Sequence, residues 1–125
     1  MAKADADMVK WETDASEENY VAALSYLSLI STPANVTKLL AKLREAPVEE
    51  YKATDLFRAS NVKLPDNDDR PCRKAMKKIH KGRALMPVLL VRDPAHSRVI
   101  IADGYHRICA AFRIDPDVIL HCKIA

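Results

Sequence analysis

Glycine is nearly absent from this chain: two occur in 125 residues, beside one tryptophan and 6% aromatic residues overall. So scarce a residue is expected where the backbone demands it, and both copies, Gly82 and Gly104, fall at the edges of helical patterns. Cysteine is also sparse. Cys72, Cys109 and Cys122 form an odd set with no C-x-x-C pair and no histidine at zinc spacing, which argues against a disulfide scaffold or a structural zinc and makes a reducing cytoplasm the expected compartment. Cys109 and Cys122 read as small buried hydrophobes, whereas Cys72, set among charges, is the one open to exposure. "MAKADADMVK" has no apolar h-region, so a signal peptide is not expected there. The most apolar window, "YVAALSYLSLI", falls short of the about 20 residues that a bilayer span needs. A soluble, cytoplasmic protein with no membrane partner is the expectation. The net charge of +3 is mild for a strong nonspecific binder of nucleic acid. Neither an internal repeat nor a low-complexity segment is present.

What is present suits one small domain with an appendage, and an apolar fraction of 49% can supply its core. Residues 1–15 are polar and lack a period. They read as a flexible tail, with Trp11 able to dock on the body. From Ser16 the pattern turns helical: Ser16 with Glu18 and Asn19 suits a helix start, and Tyr20, Ala23, Leu24, Leu27 and Ile30 recur at helical spacing. "STP" ends that helix and opens the next, with Thr32 as cap and Pro33 in the first turn. Val36, Leu39, Leu40 and Leu43 form the second stripe. This helical hairpin, residues 16–46, is too small to stand alone. It either buttresses the rest of the chain or joins a second copy in a homodimer.

Residues 47–125 read as a mixed α and β unit. "VEEYKAT" is a short strand, "TDLFRAS" a short helix capped by Thr54, and "NVKLPDNDDRP" a loop. Asp69 or Arg70 opens a helix whose inner stripe is Cys72, Ala75, Met76 and Ile79, with Gly82 placed to close it in the left-handed conformation. Seven basic or titratable groups crowd Arg73 to Arg83, most of them on the other faces. "PVLLVR", the turn "DPAHS" and "RVIIA" read as a hairpin of apolar strands. "YHRICAAFR" is a helix, and "VILHCKI" closes the chain as a strand with Val118, Leu120 and Cys122 on one face. His96 reads as a turn residue and His121 as an exposed strand residue.

The stretch "IIADGYHRICAAF" places His106 and Arg107 in the first turn of a helix, where the dipole disfavours positive charge. A bound anion resolves that conflict. Asp103 ends a buried strand and is a candidate cap; Gly104 allows a tight turn and close approach to the backbone; the first-turn amides of Tyr105 and His106 have no partner inside the helix. Arg107 is suited to grip phosphate through two nitrogens. The structural alternative stays open at this stage: Asp103 and Arg107 are four apart and suit a helix-surface ion pair of roughly 0.2–0.5 kcal/mol.

With these residues in view, "MPVLLVRDPAHSRVIIADGYHRICAAFRIDPDVILHCKI" resembles the ParB/sulfiredoxin superfamily, also called the ParB-like nuclease domain, chiefly through its D-G-x-H-R-x-x-A element. The likeness runs from about Arg70 to Ala125, thins over Val48 to Asp69 and does not reach residues 1–46. It implies a small α+β fold, a mixed sheet with helices, preceded here by the α-hairpin. It also implies that the Asp103–Gly104–Tyr105–His106–Arg107 turn holds the phosphates of a nucleotide: ATP, ADP or CTP, with magnesium. Matching "KKIHKGRALMP" to the family's preceding helix places Lys78, and one turn earlier Lys74, near those phosphates; from the residues alone both lysines are a solvated face.

The departures narrow the chemistry. Sulfiredoxins carry a reactive cysteine where this chain has Tyr105, so sulfinic acid reduction is not expected. The CTP-hydrolysing partition proteins carry glutamate there and arginine next, where this chain has Tyr105 and His106. No counterpart of their following helix-turn-helix is expected, and with it no sequence-specific DNA binding of that kind. The D-G-x-H-R form is similar to that of archaeal ADP-dependent serine kinases, for whose catalytic carboxylate Glu49 and Asp55 are the candidates. The loop from Asp66 to Arg70 occupies the region where family members bring in another polar group.

Three functions compete on this reading. The first is a nucleotide- or phosphate-binding module, with a dry apolar wall expected from Ile101 and Ile108. The second is a phosphotransferase or nuclease, which needs a second carboxylate from the loop before Arg70 close to the phosphate. The third is nucleic-acid or protein binding through the basic helix 70–83, which lacks the aromatic residues that stack single strands.

Overall fold

The structure, a computed structural model, describes residues 9–64 and 69–125. It is a mixed α+β fold built around a four-stranded sheet. In chain order the elements are β1 (Lys10–Trp11), α1 (Glu17–Ile30), α2 (Pro33–Glu45), β2 (Glu49–Lys52), α3 (Ala53–Ser60), α4 (Arg70–His80), β3 (Ala84–Leu85), β4 (Val88–Asp93), β5 (Arg98–Asp103), α5 (Tyr105–Ile114) and β6 (Ile119–Ile124). The sheet order is β2-β6-β4-β5, with β4 parallel to β6 and the other neighbours antiparallel.

Most boundaries follow from local chemistry. Ser16 and Asn19 form a reciprocal capping box at the start of α1, and Thr32 accepts from the Asn35 amide ahead of α2. Asp69 caps α4 through the Cys72 amide at 2.9 Å, with Pro71 in the first turn. Gly82 closes α4 at φ +73°, its amide donating to the Ile79 carbonyl. Thr54 departs from expectation. It lies inside α3, not ahead of it, and its hydroxyl donates to the Pro116 carbonyl. The amides of Ala53 and Thr54 are taken instead by the carbonyls of Val118 and Pro116, so a side-chain cap has nothing to do there.

The central strands β4 and β6 bury both faces. One face, with Leu89, Val91 and Ala102, packs against Tyr20, Ala23, Leu27, Val36 and Leu43 of the hairpin. The other, with Val88, Leu90, Leu120 and Cys122, packs against Leu56 of α3 and Ile108 and Ala111 of α5. Outside α5, α4 adds Cys72, Ala75 and Ile79 against Cys109, Ala110 and Ile114. The hairpin is therefore one layer of the fold, a buttress to the sheet.

A buried lysine fastens that layer. Lys123 is 2% exposed and donates to the Tyr20 hydroxyl (2.7 Å), the Arg44 carbonyl (2.9 Å) and Asp14 Oδ1 (3.0 Å). Burial works against its charge, but the bonds to Tyr20 and Asp14 outweigh it and raise the pKa above the ordinary lysine value. Part of the expected tail is ordered as well. Lys10 and Trp11 pair in parallel with Ala84 and Leu85, and Trp11 stacks on His121 at 5.4 Å. Residues 1–8 lie outside the described residues. Cys72, open to exposure on the sequence, is fully buried, because the inner stripe of α4 carries it into the core.

Candidate functional site

The residues assigned to phosphate binding from the sequence, Lys74, Lys78 and Asp103 to Arg107, line one cleft of about 410 Å³. Two elements bring them there. Pro71, Lys74, Ala75 and Lys78 share a stripe of α4, since positions three and four apart lie on one helical face. The end of β5 and the first turn of α5 supply the rest.

Gly104 makes the turn. It is the N-cap of α5 at φ +111°, in the left-handed region. A Cβ there would lie 2.7 Å from Arg107 Nη2 and 3.1 Å from both Val88 methyls, so only glycine fits. Asp103 does not cap the helix as expected. Its Oδ2 accepts from Arg107 Nη2 at 2.8 Å, and no side chain caps α5. The i,i+4 pair is mostly buried, with side-chain exposures of 14% for Arg107 and 20% for Asp103. Desolvation lowers the Arg107 pKa, and Asp103 offsets part of that. The pair is thus an internal brace more than a free phosphate fork.

The consequence falls on the helix end. Among the described residues the amides of Tyr105 and His106 have no acceptor, whereas α1 and α4 have side-chain caps and α3 has backbone ones. The N-terminal end of α5, a helix of ten residues, thus stands at the cleft with these amides open, and its dipole is positive there. Lys74 and Lys78 stand exposed along the same cleft, and neither has an ion-pair partner among the described residues.

Tyr105 is no nucleophile or base near neutrality. Burial pushes its pKa up to about 12, and its hydroxyl donates to the Lys63 carbonyl, tying the turn to the chain after α3. His106 Nε2 lies 3.6 Å from Asp69 Oδ2, the oxygen that also caps α4. Burial likewise raises the Cys109 thiol to about 11, Cys122 to about 12, and Cys72 above its ordinary value, so none is poised as a thiolate.

Several expectations are corrected here. Ile101 and Ile108 do not wall the cleft; they pack on the core under the sheet, and the apolar lining is Pro71, Ala75, Ala84, Leu85 and Met86. Glu49 lies on β2 opposite Cys122, and Asp55 pairs with Arg58 on α3; neither reaches the cleft. Asp66 and the rest of 65–68 lie outside the described residues. Ser16, Glu18 and Asn19, at the start of α1, line the cleft without having been singled out. The capping pattern marked a helix start, but nothing local to it encodes which surface that start faces.

No family model, no curated protein and no solved structure matches the chain. Among the described residues no group of three or more His, Cys, Asp or Glu is arranged to hold a metal ion, and no helix is long and apolar enough to cross a membrane.

Proposed function

We propose that the protein binds a phosphate group, carried on a nucleotide such as ATP, ADP or CTP, in the cleft between α4 and α5. The observation that carries this reading is the convergence on one cleft of an uncapped helix N-terminus with two lysines that have no ion pair among the described residues. Oriented amides and a helix dipole favour an anion, and Lys74 and Lys78 add positive charge that no ion pair among the described residues neutralises. The likeness of the D-G-x-H-R turn to the ParB/sulfiredoxin superfamily belongs to the same proposal and supports it. Magnesium, where it accompanies the nucleotide, would be held mainly by the phosphates, because no clustered carboxylate set stands ready among the described residues.

Binding without turnover suits the site better than the phosphotransferase or nuclease alternative. Asp103 is committed to Arg107, Asp69 to the cap of α4, and Tyr105 stays protonated. The nucleic-acid alternative is weakened because Lys74 and Lys78 line the cleft, which splits the basic face of α4. Homodimerisation through the hairpin keeps one observation in its favour: Val21, Leu24, Leu29 and Ile30 of α1 are exposed, Leu29 to 84%.

Thermal unfolding against ATP, ADP, CTP, GTP and inorganic phosphate, with and without magnesium, tests the reading. A ligand at about a hundred times its Kd stabilises the fold by about 2.7 kcal/mol, a shift of several degrees. The double variant Lys74→Ala/Lys78→Ala should fold normally and lose that shift. A panel that leaves wild type unmoved would count against phosphate binding.

A further inference from the structure

The cleft has a second wall of opposite character. Ser16, Glu18 and Asn19, from the first turn of α1, line it together with the cationic residues of α4 and α5. Glu17, the neighbouring acid, is spent on a bidentate pair with Arg44. Glu18 has no ion pair among the described residues, even with Lys74 and Lys78 lining the same cleft. Asn19 uses its Oδ1 on the Ser16 amide and hydroxyl, and its Nδ2 donor has no partner among the described residues. The hairpin wall thus offers a carboxylate acceptor beside an amide donor.

Resting on the phosphate reading above, we propose that the cleft selects a phosphate ester whose organic end carries hydroxyl groups, and that Glu18 reads a hydroxyl on that end. Bare phosphate satisfies the cationic wall but brings a negative charge toward Glu18 and leaves much of a 410 Å³ cleft unfilled. An alkyl phosphate fills space but gives Glu18 nothing to accept. A hydroxyl both donates and accepts, so it matches a carboxylate next to an amide N–H; an ammonium, which only donates, matches half of that pair. The ribose of a nucleotide and the chain of a polyol phosphate share this chemistry. Glu18 is a specificity-determining residue on this account, and the hairpin is part of the binding site as well as a buttress.

Calorimetric titration of the full chain with two matched pairs tests this: glycerol 3-phosphate against propyl phosphate, and ADP against its 2′,3′-dideoxy analogue. Wild type should prefer the hydroxylated member of at least one pair by about tenfold, the scale of one hydrogen bond to a charged group. Glu18→Gln, which keeps a neutral acceptor, should shrink that preference to a few-fold, and Glu18→Ala should erase it, while binding of the deoxygenated member holds or tightens. The two pairs distinguish a polyol phosphate from a nucleotide as the source of the hydroxyl. Equal affinities in wild type, or a preference that persists undiminished in Glu18→Ala, would overturn the role of Glu18 while leaving phosphate binding intact. Loss of preference seen only when magnesium is present would also overturn it, because Glu18 would then be holding the metal. Absence of binding by all four compounds would overturn the phosphate reading itself. A drop in melting temperature of Glu18→Gln with unchanged selectivity would reduce Glu18 to a first-turn acid of α1.

Discussion

Single residues carry the turn. Gly104 holds φ +111° with Val88 methyls at 3.1 Å from any Cβ, so Gly104→Ala should cost about 1–3 kcal/mol in urea unfolding and abolish binding in the cleft. A variant as stable as wild type would mean that the turn relaxes freely. Asp103→Ala leaves the Arg107 guanidinium mostly buried without its partner, and a loss of about 3 kcal/mol is expected in the same assay. At this scale the sequence was legible in part. The need for glycine and the i,i+4 spacing of Asp103 and Arg107 were both visible. Which of two local bonds Asp103 would make was not, because capping and pairing use the same carboxylate and only packing around Val88 and Arg107 decides between them.

Elements were legible wherever the backbone closes on nearby side chains. The capping box at Ser16, the cap at Thr32, the Asp69 start and the Gly82 stop of α4 all stand where their residues indicated. Thr54 failed as a cap because the acceptors of the Ala53 and Thr54 amides, the carbonyls of Val118 and Pro116, are distant in sequence. The Lys123 clasp was invisible for the same reason: its acceptors come from three separate parts of the chain. Lys123→Met should cost about 1–2 kcal/mol, mainly by stranding the Arg44 carbonyl, and should weaken ligand binding although no residue lining the cleft has changed. Binding unaffected by Lys123→Met would show that the α1 wall is placed without the clasp. The clasp also sets a pH dependence. The hydrogen bond from Lys123 lowers the Asp14 pKa, so the contribution of Asp14 is present above the ordinary carboxylate value and lost as pH falls through the lowered one. Acid unfolding followed by circular dichroism should show this limb in wild type and flatten it in Lys123→Met.

At the scale of the whole molecule, the α+β class and the antiparallel pairing of β4 with β5 followed from alternating apolar strands and helical stripes. The hairpin as a buttress was one of the two readings its size allowed, and its packing on Leu89 and Val91 bears that reading out; the sheet order and the joining of α1 to the cleft did not follow, since they depend on contacts between segments that no spacing rule links. The exposed apolar face of α1 belongs to this scale too. If it meets a second copy, sedimentation should show a dimer that Leu29→Lys dissociates; a monomer at all concentrations would count against homodimerisation. The central claim, a phosphate seated at the open end of α5, is tested most directly by titrating the amide-labelled protein with inorganic phosphate and ADP and following its nitrogen–proton spectrum. Large, saturable shifts of the Tyr105 and His106 amides, lost in Lys74→Ala/Lys78→Ala, are the predicted result. Shifts confined to other surfaces, or none at saturating ligand, would contradict it.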